Sequence, residues 1–358
     1  MRRSLGGEHD ALLFDLDGTV YRGGEVIEGA ESTISRIREA GVPIRYVTNN
    51  ASKPPEEVAA ALNALGVAAT VSEVSTSAQA GAALLAERVA PGSPVLVLGT
   101  GALAEELVNV GLSPVRGADP APVAVIQGHS PHTTWADLAE ACLAIRGGAV
   151  WVACNRDATL PTERGELPGN GALVAALREA TGSSPLVAGK PERTLLDRAV
   201  NTAEALRPML VGDRLETDIL GAHRAGITSM MVLSGVSTPA ELLAAPAECR
   251  PAHVAGDLTA LDAPAETTVI AEQAGWKVDA TGSGLSLAAV STAGFGTATG
   301  KTGEWTGLTA LRALCTARWA VGSGDTTVTP EDSTAEAVLR ELGLPRLGDE
   351  RFATSTVD

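Results

Sequence analysis

Two aspartates that stand two residues apart carry the strongest chemical signal in the chain. Asp15 and Asp17 directly follow the apolar run Ala11–Phe14, and Gly18 and Thr19 come next. Carboxylates at the carboxyl end of a parallel strand lie where open α/β sheets bind ligands. Aspartate and glycine also form turns readily, so this stretch alone is as typical of a turn or a calcium-binding loop as of a catalytic site.

Three more polar segments each follow an apolar run that is predicted to be a strand; they span residues 48–50, 189–191 and 212–218. The first offers a hydroxyl and N–H groups, the second offers the cation of Lys190, and the third holds Asp213 and Asp218. Lysine is scarce in this chain, where arginine supplies most of the positive charge, so a lysine at a strand end indicates a specific role. Because the carboxyl ends of parallel strands meet at one edge of a sheet, we expect all four segments to converge there.

The elements that must position these residues form an alternating pattern from residue 11 to residue 257. Short apolar runs predict strands at residues 11–14, 44–47, 95–98, 123–126, 150–153, 186–187, 209–211 and 230–233. Helix-like segments surround Ile34 and Ile37, lie between Pro54 and Gly66, and cover residues 102–110, 134–145 and 308–319. Continuous apolar strands joined by helices predict a doubly wound, Rossmann-like α/β fold with a mainly parallel sheet covered on both faces.

The length of 358 residues allows two or three domains, and the pattern divides the chain into four segments. Residues 1–81 and 185–261 are predicted to be the two parts of one core domain, with residues 82–184 inserted between them as an α/β module. Residues 262–358 open with a linker-like stretch and are rich in glycine, serine and threonine, which predicts a small C-terminal domain. Residues 281–284 resemble a pyrophosphate loop, so this domain is either an acetyltransferase-like ligand-binding unit or a structural or oligomer-forming appendage.

Composition and charge exclude several classes of partner. Lysine and arginine together number 27 against 43 aspartates and glutamates, which gives a formal net charge of −16. A chain this acidic has no electrostatic footprint for nucleic acid or an anionic membrane surface, and it must hold any anionic substrate with a bound cation or focused N–H groups. The sequence has neither a signal peptide nor an apolar run long enough to span a membrane, which predicts a cytoplasmic protein.

The ordered set of four polar segments resembles the haloacid dehalogenase-like superfamily of phosphohydrolases over residues 10–257. The inserted module, the Thr-Asn-Asn form of residues 48–50 and the Cys-Asn-Arg-Asp run at residues 154–157 are similar to the branch with a large α/β cap. That branch contains 4-nitrophenylphosphatase-like enzymes and phosphatases of phosphoglycolate, glycerol phosphate and pyridoxal phosphate. A phosphorylated receiver domain also uses aspartate, threonine and lysine at strand ends, but it has neither a second aspartate like Asp17 nor an inserted module.

The resemblance implies a catalytic role for each polar segment. Asp15 corresponds to the nucleophile that accepts the phosphoryl group, and Asp17 to the general acid and base. Thr48, with the N–H of Asn49, and Lys190 correspond to the groups that bind the phosphoryl oxygens and offset their charge.

The resemblance also implies a Mg²⁺ cofactor, because two anions must approach each other. Its expected ligands are the carboxylates of Asp15 and Asp213 and the main-chain carbonyl of Asp17. Asp218 is expected to lie behind these ligands, where it orients water and Lys190. An ordinary first-turn acid of the following helix is the alternative interpretation of Asp218.

Substrate choice is expected to come from the inserted cap. Asn155, Arg156 and Asp157 correspond to a cap loop that reaches toward the leaving group, and we predict that they bind substrate. Asn155 and Asp157 have a structural alternative, in which they tie the loop by Asx-type hydrogen bonds, and Arg156 either faces substrate or pairs with Glu163. The loop continues with small residues and no aromatic side chain, which suits a small polyol phosphate.

The sequence therefore predicts a Mg²⁺-dependent phosphomonoesterase that acts on a small phosphorylated metabolite. Glycerol 3-phosphate is the first expectation, and 2-phosphoglycolate and pyridoxal phosphate are the alternatives. A ligand-binding protein built on a retired phosphatase fold is the non-enzymatic alternative. The sequence leaves open whether copies of the chain form a homo-oligomer.

Overall fold

The structure is a computed structural model that describes residues 3–162, 164–281, 284–290 and 306–344. The amino-terminal part consists of β1 (Ala11–Phe14), β2 (Tyr21–Arg22), β3 (Glu25–Val26), α1 (Ala30–Glu39), β4 (Ile44–Thr48), α2 (Pro55–Ala64), β5 (Val74–Thr76) and α3 (Ser77–Ala86). The inserted part consists of β6 (Pro94–Leu98), α4 (Gly101–Asn109), β7 (Ser113–Val115), β8 (Ala124–Gln127), α5 (Trp135–Arg146), β9 (Val150–Ala153), β10 (Thr159–Thr162), β11 (Gly165–Pro168), α6 (Asn170–Thr181) and β12 (Leu186–Val187).

The chain then returns to the first sheet and ends in a smaller unit. The returning part consists of α7 (Arg193–Thr202), β13 (Pro208–Gly212), a π-helical segment (Leu215–Ile219), α8 (Leu220–Ala225), β14 (Thr228–Val232), α9 (Pro239–Ala244) and β15 (His253–Ala255). The C-terminal unit consists of β16 (Trp276–Thr281), β17 (Gly284–Ala289), α10 (Thr306–Val321), β18 (Val328–Pro330) and α11 (Ser333–Glu341). Within the described residues, no helix combines the length and the apolar character needed to cross a membrane.

Six parallel strands form the core sheet in the order β15-β14-β13-β1-β4-β5. All four residues of β1 are fully buried, because Leu12 and Phe14 pack into an apolar cluster on one face while Ala11 and Leu13 pack into another on the opposite face. This burial on both faces confirms the predicted doubly wound fold. The strand order reverses between β1 and β13, and such a switch point opens a binding crevice at the carboxyl ends of its strands.

The local signals that predict the helices of the core are visible at their ends. Ile34 and Ile37 are the buried aliphatic side chains of α1, and the chain leaves this helix at Gly41 with a positive φ of 74°. Pro55 occupies the first turn of α2, where its missing N–H costs no hydrogen bond. The two edge strands β5 and β15 were not predicted, because three-residue strands carry too few residues for a periodic pattern.

A second parallel sheet, in the order β12-β9-β8-β6-β7, forms the core of the inserted cap. Two segments near the predicted domain boundaries pack with the cap in the structure. Leu186 and Val187 lie beside Val152 and Ala153, so β12 belongs to the cap sheet, whereas the sequence pattern assigns residues 185–261 to the core. The boundary at residues 81 and 82 cuts through α3, whose Ala80, Ala82 and Leu85 pack into the apolar cluster of the cap.

The C-terminal unit has a three-stranded mixed sheet and shares an apolar cluster with the core domain. β16 pairs antiparallel and β18 pairs parallel with the central strand β17. Leu285, Leu311 and Leu314 of this unit lie in one buried cluster with Met231 and Leu242 of the core. The unit therefore covers part of the core domain, rather than standing on a linker as an independent appendage.

Candidate active site

The nucleophile candidate lies in the crevice at the strand-order switch. Asp15 follows β1, and its main-chain N–H donates to the carbonyl of Val211 in β13 at 2.9 Å. Gly18 has a φ of +88°, and a β-carbon there would collide with the carboxylate of Asp213. Glycine at position 18 therefore lets the chain after β1 pass close to the acidic segment at residues 212–218.

Lys190 is a buried cation that lies between two carboxylates. Its side chain is 2% exposed, and its Nζ lies 2.5 Å from Asp15 Oδ1 and 2.6 Å from Asp218 Oδ1. A third donation goes to the carbonyl of Val47 at 3.3 Å. Burial disfavours the charged ammonium, but the two carboxylates outweigh burial and raise the pKa of Lys190.

The strand that precedes Lys190 belongs to a different sheet from the one predicted. The sequence pattern predicts that the lysine follows a strand of the core sheet, whereas it lies three residues after β12, the edge strand of the cap sheet. Its side chain nevertheless reaches the edge where β1 and β13 end. The predicted convergence of the four segments is therefore met by side chains that start from two sheets.

Three carboxylates form a compact acidic cluster. One oxygen each from Asp15, Asp213 and Asp218 lies within 4.8 Å of the others. Burial raises the pKa of Asp15 well above its usual range, against the pull of the Lys190 ammonium. Burial, with the nearby charge of Asp218, raises the pKa of Asp213 to about 6. Two neighbouring acids with raised pKa values, Asp15 and Asp213, are typical of a site for a cation.

The hydrogen bonds distinguish the two acids of the third segment. Both oxygens of Asp218 are occupied, one by Lys190 Nζ and the other by the N–H of Arg214 at 3.1 Å. Asp213 Oδ2 accepts from the N–H of Val236 at 2.7 Å, while its buried Oδ1 has no hydrogen-bond donor among the described residues. The free oxygen of Asp213 and the all-oxygen donor set fit a hard cation such as Mg²⁺.

The side chain of Asp17 is exposed, in contrast to the buried Asp213 and Asp218. Tyr21, at the start of the β2–β3 hairpin, donates its hydroxyl to Asp17 Oδ2 at 3.4 Å. The surrounding protein desolvates the carboxyl and raises the pKa of Asp17, although the bond from Tyr21 opposes this change. A raised pKa keeps the acid protonated to higher pH, which suits a proton donor.

The phosphate-binding candidates Thr48 and Asn49 lie at the end of β4 and directly after it, beside β1. The Thr48 hydroxyl accepts the N–H of Asn50 at 3.1 Å, so its own hydrogen can be donated to a ligand. Asn49 uses its side chain on other parts of the protein, namely the main chain of Lys190 and the carboxylate of Asp157. No local pattern in the sequence indicates this second use of Asn49.

The cap loop divides into tied and exposed residues. Asn155 is 5% exposed, donates to the carbonyl of Asn49 at 2.7 Å and accepts the N–H of Asp157 at 3.2 Å. These contacts match the structural alternative for Asn155, whose polar atoms are bonded to protein. Arg156 is exposed, and its predicted alternative partner Glu163 lies outside the described residues.

Two family models match the chain, one over the first part of the core with the start of the cap and one over the second part of the core. Residues 12–113 match a model of the haloacid dehalogenase-like hydrolases, and residues 187–261 match a HAD-hydrolase-like model. D-glycerol 3-phosphate phosphatase of Mycobacterium tuberculosis is 45% identical to this chain over 353 residues, which is 96% of the chain and 97% of the relative. The chain belongs to the haloacid dehalogenase-like hydrolases. This result confirms the family inferred from the four polar segments and makes the chain an enzyme.

Other members of the haloacid dehalogenase-like hydrolases are similar in structure. A crystal structure of the glycerol phosphate phosphatase of Mycobacterium tuberculosis in complex with magnesium has a TM-score of 0.89 and 44% identity, covering 96% of this chain and 100% of that one. 4-Nitrophenylphosphatase of Thermotoga maritima has a TM-score of 0.67 and 28% identity, covering 72% of this chain and 98% of that one. A model of a GCN5-related N-acetyltransferase-like domain matches residues 273–344, the region in which the sequence suggested an acetyltransferase-like unit.

Proposed function

We propose that this hydrolase is a Mg²⁺-dependent phosphomonoesterase that converts glycerol 3-phosphate to glycerol and phosphate. The observation that carries the chemistry is the position of Lys190 Nζ between Asp15 and Asp218, beside the free oxygen of Asp213. The choice of substrate is supported by the relative named D-glycerol 3-phosphate phosphatase, which aligns with 96% of the chain. 2-Phosphoglycolate and pyridoxal phosphate are the alternative substrates.

The metal fits the acidic cluster in a defined way. Asp15, Asp213 and the main-chain carbonyl of Asp17 would hold Mg²⁺, while Asp218 remains bonded to Lys190. When bound, the cation offsets the repulsion between the substrate phosphate and the Asp15 carboxylate. Without that compensation two anions would have to approach each other.

The first chemical step transfers the phosphoryl group to the protein. A carboxylate oxygen of Asp15 attacks phosphorus, and the bond between phosphorus and the glycerol oxygen breaks. Asp17 gives its proton to that departing oxygen, so glycerol leaves neutral and Asp17 becomes a carboxylate. Thr48 and Lys190 donate hydrogen bonds to the phosphoryl oxygens and stabilise the charge that they carry in the transition state.

The second step releases phosphate and restores the enzyme. Water attacks the phosphorus of the aspartyl phosphate while the Asp17 carboxylate takes up its proton. The acyl-phosphate bond breaks, and Asp15 leaves as a carboxylate. Splitting one displacement into two lets the same pair of aspartates serve both half-reactions.

We place this activity in the cytoplasm. All four cysteines of the chain are free thiols, and Cys154, Cys249 and Cys315 are buried. Free thiols in this number are typical of a reducing compartment.

A substrate panel tests the proposal. We expect the purified full chain to release phosphate from glycerol 3-phosphate with a higher kcat/KM than from 2-phosphoglycolate or pyridoxal phosphate, and only when Mg²⁺ is present. Asp15→Asn keeps the shape of the side chain but removes the nucleophile, so it should retain less than about 1% of the activity.

Each outcome of the panel has a distinct meaning. Phosphate release that persists in Asp15→Asn would refute the aspartyl-phosphate mechanism. A clear preference for another ester would refute the substrate while leaving the chemistry intact. A wild-type chain that releases no phosphate from any ester would favour the retired-fold alternative.

A further inference from the structure

The side chain of Asn49 forms a paired contact with the backbone of Lys190. The N–H of Lys190 donates to Asn49 Oδ1 at 2.8 Å, and Asn49 Nδ2 donates back to the carbonyl of Lys190 at 2.9 Å. One side-chain amide therefore satisfies both main-chain groups of a residue 141 positions away. This double contact fixes the backbone of Lys190 in position and in orientation.

The same residue also contacts the cap. Asn49 Nδ2 lies 3.2 Å from Asp157 Oδ1, and the carbonyl of Asn49 accepts from Asn155 Nδ2 at 2.7 Å. Ser77 Oγ, at the first position of α3, donates to that carbonyl at 2.6 Å. Asn49 is thus bonded at once to the segment that holds Lys190 and to the cap loop.

The Asn49 side chain can approach the Lys190 backbone because the preceding residue is Gly189. A β-carbon on Gly189 would lie 2.6 Å from Asn49 Oδ1 and 2.6 Å from the carbonyl of Cys154. Glycine is therefore needed for the amide to reach the Lys190 backbone.

The connectivity of the chain places Lys190 between the cap and the core. It stands three residues after the cap strand β12 and three residues before the core helix α7, so neither sheet includes its backbone. Asn49 follows the core strand β4, which lies next to β1 and hence next to Asp15. Pairing with Asn49 therefore ties the lysine to the part of the molecule that carries the nucleophile.

We propose that Asn49 is a positioning residue that fixes Lys190 against Asp15 and couples this position to the cap loop through Asp157. The proposal rests on the phosphatase function proposed above. It differs from the expected role of Asn49, which involves only the main-chain N–H toward phosphate. The side chain acts on the reaction through Lys190, whose ammonium must meet the phosphoryl group as charge develops on it.

The test compares substitutions of matched size and charge. Asn49→Asp keeps the acceptor for the Lys190 N–H, removes the donor to the Lys190 carbonyl, and places a carboxylate beside Asp157. Asn50→Asp introduces the same charge one residue further on, where the side chain is exposed and, among the described residues, bonds to Ser52 alone. We expect Asn49→Asp to lower kcat about 100-fold, the size of loss that a misplacement of roughly 1 Å produces, and to change KM far less.

Two further readouts separate positioning from a general loss of structure. The affinity for vanadate, which mimics the five-coordinate phosphorus of the transition state, should fall in parallel with kcat/KM, while inhibition by phosphate should change little. Adding Asp157→Asn to Asn49→Asp restores a donor and an acceptor between the two side chains and should recover part of the lost kcat. Asn49→Gln carries the same test without a new buried charge if the aspartate variant does not fold.

The outcomes distinguish this inference from the function on which it rests. A wild-type chain without phosphatase activity would refute the function first. An active wild type, with Asn49→Asp no slower than Asn50→Asp, would overturn the positioning role alone. Equal losses of vanadate and phosphate affinity, or a double variant without any recovery, would also overturn it.

Discussion

Chemically identical side chains in the acidic cluster differ in function because of what else bonds to them. Asp213 and Asp218 are five residues apart in one segment, and their types alone do not assign their roles. In the structure Asp218 is fully bonded to Lys190 and Arg214, whereas Asp213 keeps one buried oxygen free of any donor among the described residues. A free buried acceptor is costly unless a ligand satisfies it, so Asp213 is the stronger candidate for direct contact with the cation.

This asymmetry predicts different effects of the same substitution at the two positions. Asp213→Asn should raise the Mg²⁺ concentration needed for half-maximal binding by about 10-fold or more, because it removes a charged ligand. Asp218→Asn should leave Mg²⁺ binding closer to that of the wild type and mainly lower kcat, because Lys190 loses one of its two carboxylates. Calorimetric titration with Mg²⁺ and steady-state kinetics measure the two effects separately. Equal losses of Mg²⁺ affinity would mean that both acids contact the metal.

The charged residues of the site were predicted from the sequence, but the hydrogen bonds between the Asn49 side chain and the Lys190 backbone were not. Asp15 and Asp213 each follow a strand of the core sheet, and that placement indicates a shared edge, whereas the strand before Lys190 belongs to the cap sheet. The contact of Asn49 with Lys190 joins residues 141 positions apart and uses main-chain atoms, which carry no residue-specific signal. In the sequence, the glycine at position 189 is the one feature that indicates a close approach of another group to the backbone before Lys190.

At the scale of single elements, the cap loop is where we expect substrates to be distinguished. Thr48, Lys190 and the metal contact the phosphate that every ester shares, so only groups that touch the leaving alcohol can discriminate. Arg156 is exposed in this loop, beside the buried Asn155 that anchors it.

Arg156→Ala is therefore expected to change the ratio of kcat/KM between glycerol 3-phosphate and 2-phosphoglycolate. Loss of one contact to the leaving group should shift this ratio by about 5- to 150-fold, which corresponds to roughly 1–3 kcal/mol. An aryl phosphate serves as the internal control, because its leaving group offers no hydroxyl. If all three esters slow equally, Arg156 does not contact the leaving group.

The edge strand β15 carries a buried histidine that should make folding sensitive to pH. His253 is 8% exposed, its Nδ1 lies 2.9 Å from Thr268 Oγ1, and burial lowers its pKa to about 4. The unfolded chain, with an ordinary histidine pKa of about 6.5, binds more protons between these two pH values. The free energy of unfolding should therefore fall by about 1–3 kcal/mol as the pH drops through this window.

Replacing the histidine isolates this contribution. His253→Asn can keep the bond to Thr268 but does not titrate, so urea unfolding at pH 7 and pH 5 should give more similar free energies than in the wild type. His132→Asn, at an exposed position of the cap, is the matched control and should keep the wild-type difference. An unchanged pH dependence in His253→Asn would assign the effect to other groups.

Element boundaries were harder to predict than element types. The apolar run at Leu186–Val187 was correctly expected to be a strand, but its sheet depends on whether Val152 or a core strand lies beside it. Two-residue strands contain no periodic pattern that distinguishes these partners. The helix α3 likewise has small residues on most of its surface, so its sequence does not show that it packs against the cap.

For the whole molecule, the C-terminal unit and the core are expected to unfold together. Leu314 of α10 is fully buried in the cluster that also contains Met231 and Leu242. Arg250 reinforces this junction, since its guanidinium donates to the carbonyls of Trp319 and Gly322 and lies 5.2 Å from the Trp319 ring. Loss of the unit would expose apolar side chains that each contribute about 1.5–3 kcal/mol when buried.

Leu314→Ala should lower the free energy of unfolding by about 2–5 kcal/mol while keeping a single transition. Leu206→Ala, at a side chain that is 90% exposed, is the control and should change it by no more than about 0.5 kcal/mol. A chain that ends at residue 262 should aggregate on gel filtration. Two separate transitions, or a truncated chain that stays monomeric and equally stable, would show that the unit is independent.

The pairing of β1 with β13 also fixes the order in which the protein can form during synthesis. Ala11 lies opposite Pro208, so this edge of β1 stays unpaired on the ribosome until nearly 200 more residues have been added, about 10–40 s at typical elongation rates. The other neighbour of β1, β4, is synthesised much earlier. The strands of the cap sheet, from Pro94 to Val187, emerge together and need no later partner. We expect chains stalled on the ribosome after the cap has emerged to resist limited proteolysis in the cap and to be cut within residues 11–76. Protection of both regions would mean that the first strands are stably packed without β13. Until then one edge of the amino-terminal strands lacks its partner, and we expect this apolar edge to need protection from aggregation.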